Sequence, residues 1–171
     1  MSLSDLPPSI LEIIRRGTVI PATPLALNSG RRFDERRQRA LMRYYIDAGV
    51  GGVAVGIHFT HFEIRTPGID LFEPVLRVCS EEIDRYAKMA GRSVAKVAGI
   101  SGLTATALKQ AETARELGYH FGIVSMTAFQ GAMEQEMIHH MRELSKVMPL
   151  FGFYLPTLPT TALSGKISTA G

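Results

Sequence analysis

The sequence predicts a parallel α/β fold, and three observations carry that prediction. Short apolar runs alternate along the chain with longer stretches of helical period. The run Val53–Val55 has no polar alternation, which suits a strand covered on both faces. Gly17, Gly91 and Gly118 each close a helical stretch just before the next apolar run.

Taken in order, Pro7 and Pro8 precede a short amphipathic helix over Ser9–Arg16, with Ile10, Leu11, Ile13 and Ile14 supplying its apolar stripe. Thr18–Ala22 reads as a first strand, stopped by Pro21 and Pro24. Asn28-Ser29-Gly30 marks a turn, and Asp34 caps a helix running to Ala48 with Leu41, Tyr44, Tyr45 and Ala48 on one face. Gly52–Gly56 is the second strand. After Pro67-Gly68 comes a long helix over Leu71–Met89, then a strand over Val94–Ala98. Thr104 opens the helix Ala105–Leu117, and Phe121–Met126 is the fourth strand. The helix Ala132–Val147 carries Met133, Met137, Met141 and Leu144 at helical spacing, which suits core filling. Leu150–Leu155 is the fifth strand. Such alternation implies right-handed βαβ units. Two architectures accommodate it: a complete five-stranded flavodoxin-like sheet, or about five of the eight βα units of a barrel that runs to about 250 residues when whole.

Composition narrows the function classes. The 171 residues suffice for one domain with a sizeable core, and 46% hydrophobic with 20% charged residues is ordinary for a globular protein. The net charge of +3 comes mostly from arginines clustered at Arg15-Arg16, Arg31-Arg32 and Arg36-Arg37-x-Arg39. These lack interleaved aromatics, so they are expected to be solvated helix surface rather than a nucleic-acid interface. Cys79, the only cysteine, sits among Val75, Leu76 and Val78 and reads as a buried structural thiol. No apolar run is long enough for a membrane span, and the N-terminus has no signal-peptide order. A cytoplasmic protein is expected, with no membrane partner.

The densest cluster of titratable and hydrogen-bonding groups follows the second strand: His58, Thr60, His61 and Glu63. Ligands of parallel α/β sheets bind at the carboxyl ends of the strands, so a site is expected here. Ser101-Gly102, after the third strand, is a further candidate for its lining. His58, His61 and Glu63 also admit a metal-triad reading, which needs the loop to coil because the histidines are three apart. His139-His140 lies mid-helix and reads as surface; His120 begins a strand and reads as packing or solvent-facing. Gly165-Lys166-Ile167-Ser168 fails as a phosphate loop because Ile167 takes the Ser/Thr position and Thr160 that of the leading glycine. Gly49-x-Gly51 opens a strand, not a helix, so it is no dinucleotide fingerprint.

Gly17–Leu25 (GTVIPATPL), the helix end DAGVGGVAVG, Val97–Thr104 (VAGISGLT) and Phe151–Pro156 (FGFYLP) occur in a co-linear set. Together they resemble the N-terminal five-eighths of the dihydrodipicolinate synthase/N-acetylneuraminate lyase family. The resemblance implies a (β/α)₈ barrel, a homodimer or homotetramer, and lyase chemistry: a lysine Schiff base with pyruvate or another 2-oxo acid, then a carbon–carbon bond made to or broken from an aldehyde. It implies no cofactor. Tyr154 matches the family tyrosine that relays protons, and Thr60 one threonine of the loop that binds the substrate carboxylate. His58, Phe59, His61, Glu63 and Ser101 are then expected substrate contacts. The departures are specific. Phe59 replaces the second loop threonine, the tyrosine after strand four is missing near Ala128-Phe129, and no arginine follows Tyr154. The Schiff-base lysine belongs at the end of strand six, and Lys166 is too near Tyr154 to be it. As written, the chain is expected to be a partial barrel over residues 1–155 with a flexible tail over 156–171. Its open edge strands leave an apolar interior exposed. The alternative reading is an inactive truncated barrel that serves as an assembly module.

Overall fold

The computed structural model describes residues 3–57 and 62–152, with Phe62 by its backbone alone. Helix α1 (Pro8–Arg16) starts on a proline at its first turn, where the missing N–H costs nothing, and ends at Gly17. Helix α2 (Glu35–Asp47) is capped by Asp34, whose carboxylate accepts the Arg37 N–H at 2.9 Å. Strand β1 (Gly52–Val55), α3 (Phe72–Met89), β2 (Ala95–Ile100), α4 (Thr104–Glu116), β3 (Phe121–Val124), α5 (Glu134–Val147) and β4 (Leu150–Phe151) follow.

The sheet is parallel and its strands stand in chain order, β1-β2-β3-β4. Val53 pairs with Lys96, Val97 with Phe121 and Gly122 with Leu150. Segment 21–23 joins at the β1 edge: Ala54 donates to the Pro21 carbonyl and Thr23 donates to the Ala54 carbonyl, each at 2.9 Å. A flavodoxin-like sheet reverses its strand order at a switch point. Five consecutive positions without reversal are barrel winding, which decides between the two architectures.

The two faces of the sheet are covered differently. Val53, Val55, Ala98, Ile100 and Val124 pack with the buried residues of α2, α3, α4 and α5, such as Met42, Ile46, Leu76, Ile83, Ala111 and Leu144. Ala54, Ala95, Val97 and Phe121 point the other way, to the face that lines a barrel's interior, and meet Leu6 and Ile10. The N-terminal segment with α1 therefore shields part of the inner face that the sequence leaves exposed. Phe121 and Phe151 stack across β3 and β4 on that side, 4.7 Å between centroids.

Four expectations need correction. The first strand, expected over Thr18–Ala22, is reduced to the single bridge Ala22–Ala54. Pro21 has no N–H for a ladder, and side chains take over. Gln38 accepts the Ala26 N–H at 2.8 Å and donates to Thr23 Oγ1 and the Pro24 carbonyl, tying this segment to α2. Second, the inward face of α2 is Gln38, Met42 and Ile46, while Tyr44 is exposed. Third, the methionine stripe of α5 is not all core: Met133 is 68% exposed. Fourth, His140 is not surface. It is fully buried, with Nδ1 3.0 Å from Thr104 Oγ1 and its ring against Phe129. The inward stripe of α5 is His140 and Leu144, one turn apart.

Other expectations hold. Arg31, Arg32, Arg36 and Arg37 are exposed. Cys79 is buried, and desolvation pushes its thiol up to about 12. On the outer layer, buried Glu82 of α3 receives Arg39 and Arg43 from α2 and Arg85 from its own helix. Burial alone works to raise its pKa, but the Arg85 hydrogen bond and the three positive charges hold it below the usual range. Lys96, buried on β2, is paired with Asp84 at 2.7 Å and bonded to Ser80 at 2.9 Å.

Candidate active site at the carboxyl ends of the strands

The site is built where β1 and β2 end. Gly56 leaves β1 at φ +69°, a conformation that disfavours any residue with a Cβ. Its carbonyl lies directly against Gly99 of β2, where a Cβ would come within 2.1 Å of the Gly56 oxygen. This close approach delivers both carbonyls to one side chain. Arg65, at the end of the 3₁₀ turn Phe62–Arg65, donates from Nη2 to the Gly56 and Gly99 carbonyls at 2.9 and 2.7 Å.

Arg65 is held on two further sides. Its Nε donates to Gln110 Oε1 at 3.0 Å, and its guanidinium carbon lies 4.5 Å from the Phe72 ring centroid. Gln110 is itself positioned by β2: its Oε1 accepts the Ser101 N–H at 3.1 Å and its Nε2 donates to the Ser101 carbonyl at 3.0 Å. Arg65 Nη1 is buried without a hydrogen-bond partner among the described residues. Among the described residues no carboxylate pairs with this guanidinium. Desolvation lowers its pKa to about 10, the cost of a half-buried cation with no counter-charge among the described residues.

Two grooves run along Arg65. One, of about 640 Å³, is lined by Arg65, Thr66, Ser101, Gly102, Thr106, Gln110, Thr127 and Ala128. Among the described residues it holds hydroxyls, an amide and one cation, and no acid. The other, of about 520 Å³, includes Asp70, Glu73 and Lys109. The first can bind and orient a small anion. Behind it, His140 supports Thr104; burial lowers its pKa, with the neighbouring His139 charge adding to the effect, and its Nε2 has no partner among the described residues.

Of the residues expected from sequence, Ser101 is buried at the groove and lines it. Glu63 is exposed in the 3₁₀ turn and is absent from the lining of both grooves. His58, Phe59, Thr60, His61 and Tyr154 lie outside the described residues. Arg65 and Gln110 were not legible as site residues. A lone arginine in a polar loop looks like any surface charge. The one available signal was its place just past the strand end, in the stretch that also carries His58 and His61.

No family model and no curated protein matches the sequence. Solved structures do match. Dihydrodipicolinate synthase from Bacillus anthracis is 20% identical with a TM-score of 0.66, covering 80% of this chain and 44% of its own. YagE of E. coli K12, a prophage protein of the dihydrodipicolinic acid synthase family solved with pyruvate, is 17% identical with a TM-score of 0.66 over 81% of this chain and 45% of its own. N-acetylneuraminate lyase from Mycoplasma synoviae is 17% identical, with a TM-score of 0.56 over 82% and 47%. The chain spans under half the length of these structures. In fold, it is similar to the N-terminal part of the dihydrodipicolinate synthase and N-acetylneuraminate lyase barrels.

Proposed function

We propose that this chain contributes to a carbon–carbon lyase of the dihydrodipicolinate synthase type, acting on a 2-oxo acid and an aldehyde through a lysine Schiff base. The observation that carries the reading is the barrel-wound sheet with its polar groove at the carboxyl ends of the strands. Likeness to a barrel solved with pyruvate supports the choice of substrate class. In this reading Tyr154 relays protons, its phenol acting as acid and then base beside the substrate carbonyl. Thr60 partners that phenol and contacts the substrate carboxylate. His58, Phe59, His61 and Ser101 form the surrounding contacts, with Glu63 left exposed outside both grooves, and the active protein is a homo-oligomer. The amine attacks the ketone carbon and water leaves, giving an imine that stabilises the carbanion of the bond-making step. No residue of this chain is assigned as that amine.

Intact mass after incubation with pyruvate and borohydride tests the reading, since reduction fixes the imine as a stable adduct. An adduct on a form extended through a sixth strand, with none on this chain, is the expected result. An adduct on neither form removes the Schiff-base reading. A stoichiometric adduct on this chain refutes the expectation that it lacks the amine and points to Lys166.

A further inference from the structure

We propose that Arg65 is the anion-recognising residue of the 640 Å³ groove, and that its ligand is the carboxylate of a small organic acid. Arg65 is desolvated, yet every acceptor it holds among the described residues is neutral: two backbone carbonyls and the Gln110 amide oxygen. Hydrogen bonds to such acceptors satisfy N–H groups but leave the charge uncompensated. Nη1 has no acceptor among the described residues. A carboxylate oxygen seated against it supplies both the missing acceptor and the missing charge.

The choice of groove follows from its walls. The smaller groove presents Asp70 and Glu73, which repel an anion. The larger presents Ser101, Thr106 and Thr127, which can hold a second carboxylate oxygen or a neighbouring hydroxyl or carbonyl. One cation among neutral donors suits a monoanion better than a phosphate dianion. The scaffold is also rigid on the cation's side. Gly99 brings the two carbonyls together and Gln110 is locked on Ser101, so the guanidinium is oriented before a ligand arrives.

This inference rests on the lyase reading only for which acid is bound, and its test is independent of imine chemistry. Calorimetric titration of the 171-residue chain would compare pyruvate, lactate (a carboxylate with no ketone to trap), methyl pyruvate and inorganic phosphate. Saturable binding of pyruvate and lactate, with methyl pyruvate and phosphate inert, is expected. Arg65→Met should weaken lactate binding about tenfold or more, the worth of a charge-assisted hydrogen bond. Because Arg65→Met removes three structural hydrogen bonds, Thr106→Glu serves as the second variant. Position 106 is exposed on α4, and a carboxylate there occupies Arg65 from within. It should abolish lactate binding with the circular dichroism spectrum unchanged. Lactate binding unaltered in Thr106→Glu, or no binding of either carboxylate to the wild-type chain, overturns the proposal. Phosphate binding as tight as lactate overturns the carboxylate assignment. Lactate binding without a pyruvate adduct on the extended form leaves Arg65 in place and removes only the Schiff-base reading.

Discussion

Acid should destabilise this fold through His120 before its carboxylates titrate. His120 Nδ1 accepts the backbone N–H of Lys96 at 3.0 Å, and its own backbone N–H donates to the Lys96 carbonyl at 2.9 Å. An imidazolium has no acceptor nitrogen, so protonation breaks the first of these bonds at the β2–β3 junction. Burial, together with the Lys96 charge and against the pull of Asp84, lowers the His120 pKa from 6.5 to about 4. Above pH 6.5 the ring is neutral whether the chain is folded or unfolded, and this contribution to stability is fully present. As pH falls through 6.5 the unfolded chain takes up the proton first, so stability declines until the folded pKa near 4 is reached. At about 1.4 kcal/mol per pH unit, the gap gives about 3 kcal/mol, an upper figure for a half-buried ring. Urea unfolding followed by far-UV circular dichroism, at constant ionic strength from pH 7.5 to 4.5, measures it. His120→Asn keeps an acceptor oxygen without the titration and should remove most of the decline. If the variant loses stability over that range as steeply as the wild type, the assignment to His120 is wrong.

Gly99→Ala should cost about 1–3 kcal/mol, or more if the β1 end cannot shift, because its methyl meets backbone at 2.1 Å; thermal unfolding reads it directly. Glu82→Gln should destabilise by about 1–3 kcal/mol, since it strips the buried carboxylate from Arg39, Arg43 and Arg85. Its effect should shrink in high salt, and a loss independent of salt would argue for packing instead. Tyr119→Phe, which removes the buried hydroxyl bonded to the Leu76 carbonyl at 2.9 Å, should lower stability by about 1 kcal/mol in the same unfolding assay. Cys79, buried with its thiol pushed up to about 12, should resist iodoacetamide at pH 8 in the native protein and react promptly in urea; fast native labelling would show that α3 opens.

The sheet and its helices were readable because their signals are local. Val53–Val55 could only be a buried strand, and Asp34 announces its helix by a cap that forms three residues on. Where the reading failed, a non-local partner decided. Thr18–Ala22 has strand composition, but a ladder needs N–H groups that Pro21 lacks. The inward face of α2 was displaced because its stripe includes Gln38, whose polarity hides it from any hydrophobic period. Burial of Gln38 is justified only by the Ala26, Thr23 and Pro24 groups it satisfies. His140 was misread for the same reason: its partners, Thr104 and Phe129, lie on other elements. Half of the site was legible as a place, the loop past β1, and Ser101 as one of its walls. Arg65 was not, because an arginine's role depends on what surrounds it and its surroundings come from Gly99 and Gln110, far along the chain.

The seat of α1 on the inner face of the sheet has a kinetic consequence. Leu6 and Ile10, at the start of the chain, are buried against Ala95, Val97 and Phe121, which are contributed by the second and third strands. Each βα unit can form from neighbours in sequence, whereas this contact closes a loop of about a hundred residues and carries a larger closure entropy. The N-terminal segment is therefore the piece whose docking comes late and whose release comes early. A probe placed on α1 should report the last step of folding and the first of unfolding, while the strands it covers are still paired.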